Sequence, residues 1–87
     1  MIKVQLMPVY ENVKSYYGKA TIIHHSNKIQ LQSYDTIVCE LTESGKAVIF
    51  GTYSSTTLRH IKEFLRQYGY KVGTKKELEK LYMGGEN

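Results

Sequence analysis

The residue types needed for nucleophilic catalysis occur together around His60. Ser54 and Ser55 precede this histidine by about one and a half helical turns, and Asp35 lies further upstream. A serine beside a histidine that a carboxylate orients is the arrangement of hydrolases with a covalent intermediate. Sequence spacing does not supply the geometry that defines such a triad. We therefore expect His60 to bond a strand carbonyl or the Thr56 hydroxyl and to hold a helix against a sheet. We therefore predict that the protein is not an enzyme.

Histidine and cysteine, which supply most ligands for transition metals, are sparse and poorly spaced. His24 and His25 are adjacent on a predicted strand, where neighbouring side chains point to opposite faces and do not share one ion. Cys39 is the single cysteine, which excludes an internal disulfide. It shares a strand face with Ile37 and Leu41, as is typical of a buried, inert thiol. We expect no metal and no cofactor.

Positive charge and tyrosine are the two features that favour a binding function. The 87 residues include 12 Lys and Arg against 8 Asp and Glu, a formal net charge of +4, and 8 tyrosines. A basic stripe at helical spacing suits phosphates or an acidic protein surface, and it would equally serve as a solvated helix face. Tyrosines beside lysines suit base stacking or a protein interface. The candidate binding residues are Arg59, Lys62, Arg66, Tyr16, Tyr17, Lys19, Tyr70 and Lys71.

The strands that would position these residues follow from alternation of apolar and polar side chains. The first two thirds of the chain alternates with a period of two and predicts about five antiparallel strands. The first strand covers residues 2–7, and Pro8 marks its end or a sheet edge. The strand at 47–50 is apolar on both faces, which predicts a central position in the sheet.

The last third of the chain changes to a helical period. Apolar residues spaced by three and four predict an amphipathic helix over residues 55–68 that covers one sheet face. On its surface Arg59 and Glu63 stand four apart and form a weak stabilising pair. A capping box that starts at Thr74 predicts a second, shorter helix. The predicted fold is one α+β domain over residues 1–83, followed by a frayed tail at 84–87.

Composition narrows the class of protein further. An apolar content of 41% with 23% charged residues belongs to a folded domain, and 87 residues are too few for a deep-clefted enzyme. Residues 1–9 alternate and do not resemble a signal peptide, and no apolar run reaches the roughly 20 residues that span a bilayer. With its single cysteine, the chain is expected in the cytoplasm of a bacterial host, without a membrane partner.

Two segments resemble a known family when they are taken together. Segment 33–38 reads SYDTIV, and segment 53–65 reads YSSTTLRHIKEFL. They are similar to small, largely uncharacterised proteins from phages and mobile elements of Firmicutes, whose pattern is an SYxT strand and a YSxTTxRHxxEF helix. The resemblance covers residues 14–70. It implies a phage or mobile-element context and assigns no catalytic residue.

That context favours one functional hypothesis and leaves two others open. Phages and mobile elements carry small accessory proteins that block host defence nucleases, including anti-CRISPR proteins. We expect an inhibitor of this kind, which binds a host defence protein or ribonucleoprotein complex without catalysis. The alternatives are a small nucleic-acid-binding regulator, whose affinity would fall steeply with salt, and a protein that self-associates through an uncovered sheet face or edge. The sequence leaves open whether the chain is a monomer or a homodimer.

Overall fold

The computed structural model describes residues 1–12, 16, 18–51 and 54–83. Within these ranges the chain forms five strands followed by two helices, which confirms the α+β class and the predicted order of elements. The predicted tail at 84–87 lies outside the described residues. The elements are β1 Ile2–Gln5, β2 Ala20–His24, β3 Lys28–Ser33, β4 Thr36–Thr42, β5 Ala47–Ile49, α1 Ser55–Gln67 and α2 Lys75–Tyr82.

The sheet is an antiparallel meander in which the strands lie in chain order, from β1 at one edge to β5 at the other. Two strand predictions are wrong. The first strand ends at Gln5, because Pro8 lacks an N–H and the amides that follow bond to a helix side chain. The strand Ala47–Ile49 is an edge strand, not a central one. Its apolar character arises because α2 packs against it, so that Ala47 and Ile49 are buried.

The SYxT motif is a hairpin turn and not a strand. Ser33 is the last residue of β3 and Thr36 is the first of β4, and the two face each other in the register. Tyr34 and Asp35 form the turn between them, and Tyr34 has a φ of +56°. This left-handed conformation is one that tight hairpin turns require and non-glycine residues seldom adopt.

Helix α1 covers Ser55–Gln67, which confirms the predicted helix over residues 55–68 to within one residue. The Ser54 side chain accepts a hydrogen bond from the Thr57 N–H at 3.3 Å and caps the first turn. At the other end Gly69 has a φ of +83°, which glycine adopts without a steric penalty. The apolar stripe of α1 packs on the sheet, against β3. The buried core consists of Leu6, Tyr16, Ala20, Ile22, Leu31, Val38, Cys39, Leu41, Ala47, Ile49, Ile61, Phe64, Leu65 and Leu78.

Helix α2 closes the same core beside β5. The predicted capping box is present: the Thr74 hydroxyl accepts from the Glu77 N–H, and the Glu77 carboxylate accepts from the Thr74 N–H. Leu78 is the side chain that α2 buries. Neither helix described here has the length and apolar content needed to cross a membrane.

The opposite face of the sheet carries a set of polar side chains beside the buried Ile23. His25 Nε2 lies 2.8 Å from Gln30 Oε1, and Gln30 Nε2 donates to Glu40 Oε1 at 2.9 Å. Lys28 Nζ lies 3.9 Å from the same carboxylate oxygen. These contacts join β3 to β4 and to His25, the residue that follows β2, so the polar groups partner one another.

Candidate interaction surface

A segment that follows β1 is held against the side of α1 by one buried carboxylate. Residues 7–11, which we call the strap, run beside the helix. The Glu63 carboxylate accepts hydrogen bonds from the backbone N–H groups of Val9 at 2.8 Å, Tyr10 at 3.1 Å and Glu11 at 2.9 Å. Glu63 is only 1% exposed. The carboxylate therefore replaces, for these amides, the strand partner that they lack.

The charge of Glu63 is maintained by these contacts. Burial alone would raise its pKa, but hydrogen bonds from Gln67 and from the three strap amides outweigh burial and hold the pKa below its usual range. Gln67 Nε2 also donates to the Met7 carbonyl at 2.6 Å. The predicted pairing of Glu63 with Arg59 is wrong, because the carboxylate points towards the strap and not along the helix surface.

The three predicted basic residues lie on the outer side of α1, next to the strap. Arg59 is 57% exposed in its side chain, and its Nε lies 3.8 Å from Glu11 Oε1. The Arg66 guanidinium lies over the Tyr10 ring, 5.8 Å from its centroid. Lys62 lines a small cavity of about 190 Å³ together with Tyr10 and Glu11 of the strap, Glu63 and Arg66. The strap thus neutralises part of the basic stripe and supplies an aromatic ring to it.

Exposed apolar side chains of the strap extend this surface. Met7, Val9 and Tyr10 are 50%, 67% and 57% exposed. Methionine, tyrosine and arginine are enriched in protein interfaces, and tyrosine and arginine are frequent hot spots. Sequence reasoning missed these strap residues, although an apolar pair directly after Pro8 was the available signal. We call the set Met7, Val9, Tyr10, Arg59, Lys62 and Arg66 the strap surface.

Tyr16 does not belong to a binding surface, contrary to the sequence prediction. Its side chain is 5% exposed and packs edge-on against the His60 ring, with centroids 4.7 Å apart. Burial raises the pKa of Tyr16 to about 12, with a further contribution from the negative charges of Glu11 and Glu63. A tyrosine in the core offers no contact area to a partner. The lysines near Tyr16 in the sequence therefore did not indicate a binding role.

The remaining candidate residues lie apart from the strap surface or outside the description. Tyr70 is half-buried against the core, and its hydroxyl donates to the Gly45 carbonyl at 2.9 Å, which ties it to the β4–β5 turn. Lys71 is exposed in the connection between the helices, and Lys19 is exposed in the turn before β2. Tyr17 lies outside the described residues.

The unpaired Tyr16 hydroxyl gives a stability prediction. Among the described residues it has no hydrogen-bond partner. A buried hydroxyl without a partner costs about 1 kcal/mol or more. We expect Tyr16→Phe to raise the free energy of unfolding by about 1 kcal/mol. Tyr70→Phe is the matched control and should lower it by about 0.5 kcal/mol, since it removes a made hydrogen bond. Urea unfolding measures both, and a loss of stability in Tyr16→Phe would contradict the assignment.

The serine–histidine hypothesis resolves into a structural contact. His60 Nδ1 lies 2.8 Å from Ser33 Oγ, and Ser33 Oγ lies 3.1 Å from Thr57 Oγ1. Ser33 and His60 are 3% and 1% exposed, so the pair is closed to solvent. Ser54 instead caps α1, and Asp35 is exposed in the β3–β4 turn. The histidine joins helix to sheet as predicted, although its partner is a serine hydroxyl and not a carbonyl or Thr56.

The cysteine and the two other histidines occupy ordinary structural positions. Cys39 is fully buried, and burial raises the pKa of its thiol to about 12. His24 faces the helix side, opposite Ile2, whereas His25 bonds to Gln30. Across the part of the chain that the structure describes, no three His, Cys, Asp or Glu side chains converge to hold a metal ion.

Comparison with known proteins assigns a family but no activity. Residues 3–80 match the family described as Family of unknown function (DUF8033). The chain belongs to this family. The match begins within β1 and ends within α2, so the strap and Glu63 lie inside the family domain. Neither a curated protein nor a solved structure matches the chain.

Proposed function

We propose that the protein binds a host macromolecule without catalysis, as an accessory protein of a phage or mobile element that inhibits a host defence nuclease such as a CRISPR effector. The observation that carries the binding proposal is the strap surface. It combines three exposed apolar side chains with three cations on one side of the molecule. The resemblance of segments 33–38 and 53–65 to phage and mobile-element proteins supplies the biological context.

The composition of the strap surface favours a protein partner over bare nucleic acid. Arg59 is already paired with Glu11, and the Arg66 guanidinium lies over an aromatic ring. Binding to phosphates depends on free cations that release counterions, and on this surface Glu11 offsets part of the charge of Arg59. Exposed Val9 and Tyr10 gain most from burial against an apolar or acidic protein face.

Target cleavage by purified defence nucleases tests the proposal. A panel should contain RNA-guided nucleases of several CRISPR classes and a restriction endonuclease, each assayed with excess protein. We expect the wild-type chain to block at least one of them. A Tyr10→Ala, Arg66→Glu double variant should weaken inhibition at least tenfold, because it removes an aromatic anchor and reverses a charge. Lys76→Glu changes an equally exposed cation on α2 and should have no effect.

Two outcomes would overturn the proposal. If every nuclease of the panel stays active at excess protein, the inhibitory function fails. The same protein should be titrated against labelled single- and double-stranded DNA and RNA at low and near-physiological salt. Tight binding that falls steeply with salt would identify a nucleic-acid-binding regulator instead.

A further inference from the structure

The outer edge of β1 has no paired strand among the described residues, and two exposed apolar side chains lie beside it. Ile2 and Val4 lie on the helix side of the sheet but are 64% and 43% exposed, because α1 packs further along, against β3. Among the described strands, only β2 pairs with β1. An unprotected strand edge is a template for pairing with another strand.

The hydrogen-bond phase of the β1–β2 ladder determines what this edge offers. The Leu6 N–H donates to the Ala20 carbonyl at 3.0 Å, and this pair continues the β1–β2 register by one residue. In an antiparallel ladder, residues bonded to the neighbour alternate with residues whose N–H and C=O point away. Val4 therefore bonds to β2, and the backbone groups of Lys3 and Gln5 face outward. Within β1, these two residues supply all the backbone donors and acceptors that face outward.

We propose that β1 pairs antiparallel with β1 of a second copy, about a twofold axis that passes between two Val4 residues. In this register Lys3 of each copy faces Gln5 of the other. The outward N–H and C=O groups of both residues are then satisfied, with four hydrogen bonds in total. The two five-stranded sheets join into one continuous sheet of ten strands, and the contact is the same patch on both copies.

Charge and packing select this register over its neighbours. Sliding one copy by two residues keeps the side-chain faces matched and gives two neighbouring registers. One places Lys3 directly opposite Lys3, which is unfavourable. The other places Gln5 opposite Gln5 and leaves the outward groups of Lys3 without a partner in β1. The proposed register separates the two ammonium groups onto a diagonal and places a neutral amide opposite each. On the helix side it brings the two Val4 side chains into a close, non-hydrogen-bonded pair and covers exposed Ile2. A second copy is therefore an occupant that satisfies hydrogen bonds, charge and apolar surface together.

Mass measurement and cross-linking of the full chain test the proposal. Analytical ultracentrifugation over a wide range of concentration should give a species of twice the 10.0 kDa chain mass. Val4→Cys should form a covalent dimer rapidly on oxidation, since Cβ atoms in such a pair lie about 4.5 Å apart. Ile2→Cys should cross-link much more slowly, because Ile2 does not face its own copy. Native Cys39 is fully buried and stays out of this reaction.

A backbone substitution tests the outward hydrogen bonds. Gln5→Pro removes an N–H that β2 does not use, so it should convert the dimer to a folded monomer. Gln5→Ala retains the N–H and should leave the dimer intact. A single-chain mass at every concentration, or equal cross-linking of Ile2→Cys and Val4→Cys, would overturn the proposal. The β1 edge, residues 2–5, shares no residue with the strap surface. Gln5→Pro tests dimerisation and the Tyr10→Ala, Arg66→Glu variant tests inhibition, so failure of one proposal can be told from failure of the other.

Discussion

Replacing Glu63 by alanine is expected to lower the free energy of unfolding by about 3 kcal/mol. The substitution leaves the N–H groups of Val9, Tyr10 and Glu11 without their acceptor, and it removes the charge that gives these hydrogen bonds their strength. Sheet bonds do not replace them, because β1 has already ended. Urea unfolding followed by circular dichroism measures the change.

A second carboxylate provides the control for this prediction. Glu43 is exposed in the β4–β5 turn, and Glu43→Ala should change the free energy of unfolding by no more than about 0.5 kcal/mol. Glu63→Ala should also lose the protection of the strap amides from hydrogen exchange, whereas Glu43→Ala should retain that protection. Equal stability of the two variants would show that Glu63 does not hold the strap.

Replacing His60 by alanine should lower the free energy of unfolding by about 3 kcal/mol and reduce the melting temperature accordingly. The imidazole fills a fully buried position between Tyr16 and the sheet, and its Nδ1 bonds to Ser33 across the helix–sheet interface. Removal of the imidazole leaves a cavity, and it leaves the buried Ser33 hydroxyl with Thr57 as its remaining side-chain partner. An unchanged melting temperature would contradict this structural role.

The stability that His60 provides should depend on pH. Burial, with the nearby positive charges of Lys19 and Arg59, lowers the pKa of His60 from its ordinary value of 6.5. The unfolded chain therefore binds a proton at a pH where the folded protein still excludes it, so stability is full above 6.5 and falls as the pH drops below it. His60→Asn can keep a hydrogen bond to Ser33 without titrating. This variant should flatten the pH dependence of the melting temperature. An unchanged slope would show that another group causes the pH dependence.

Local signals predicted much of the fold because each of them acts over a few residues. The apolar spacing of the helix at 55–68, the capping box at Thr74 and the alternation along the strands depend on neighbours in sequence, and all are present. The position of β5 was not predictable in this way. Its two apolar faces suggested burial in the sheet centre, whereas its actual cover is α2, which comes after it by more than twenty residues.

The candidate surface was only half predictable for the same reason. The spacing of Arg59, Lys62 and Arg66 shows that they share a helix face. It contains no information on the strap, whose contact with Glu63 joins residues more than fifty positions apart. Tyr10 therefore escaped notice, and Tyr16 was assigned to the surface because of nearby lysines although its ring is in the core.

Phage infection of bacteria that carry one defence nuclease at a time tests the central claim most directly. Each strain should express the wild-type chain, the Tyr10→Ala, Arg66→Glu variant or the Lys76→Glu control, at levels checked by immunoblot. Inhibition through the strap surface predicts that the wild-type chain and the control restore plaque formation on at least one immune strain. The double variant should not restore it. Two results would contradict this function. One is that no immune strain forms plaques although the wild-type chain is expressed, and the other is that the folded double variant restores plaque formation as well as the wild-type chain does.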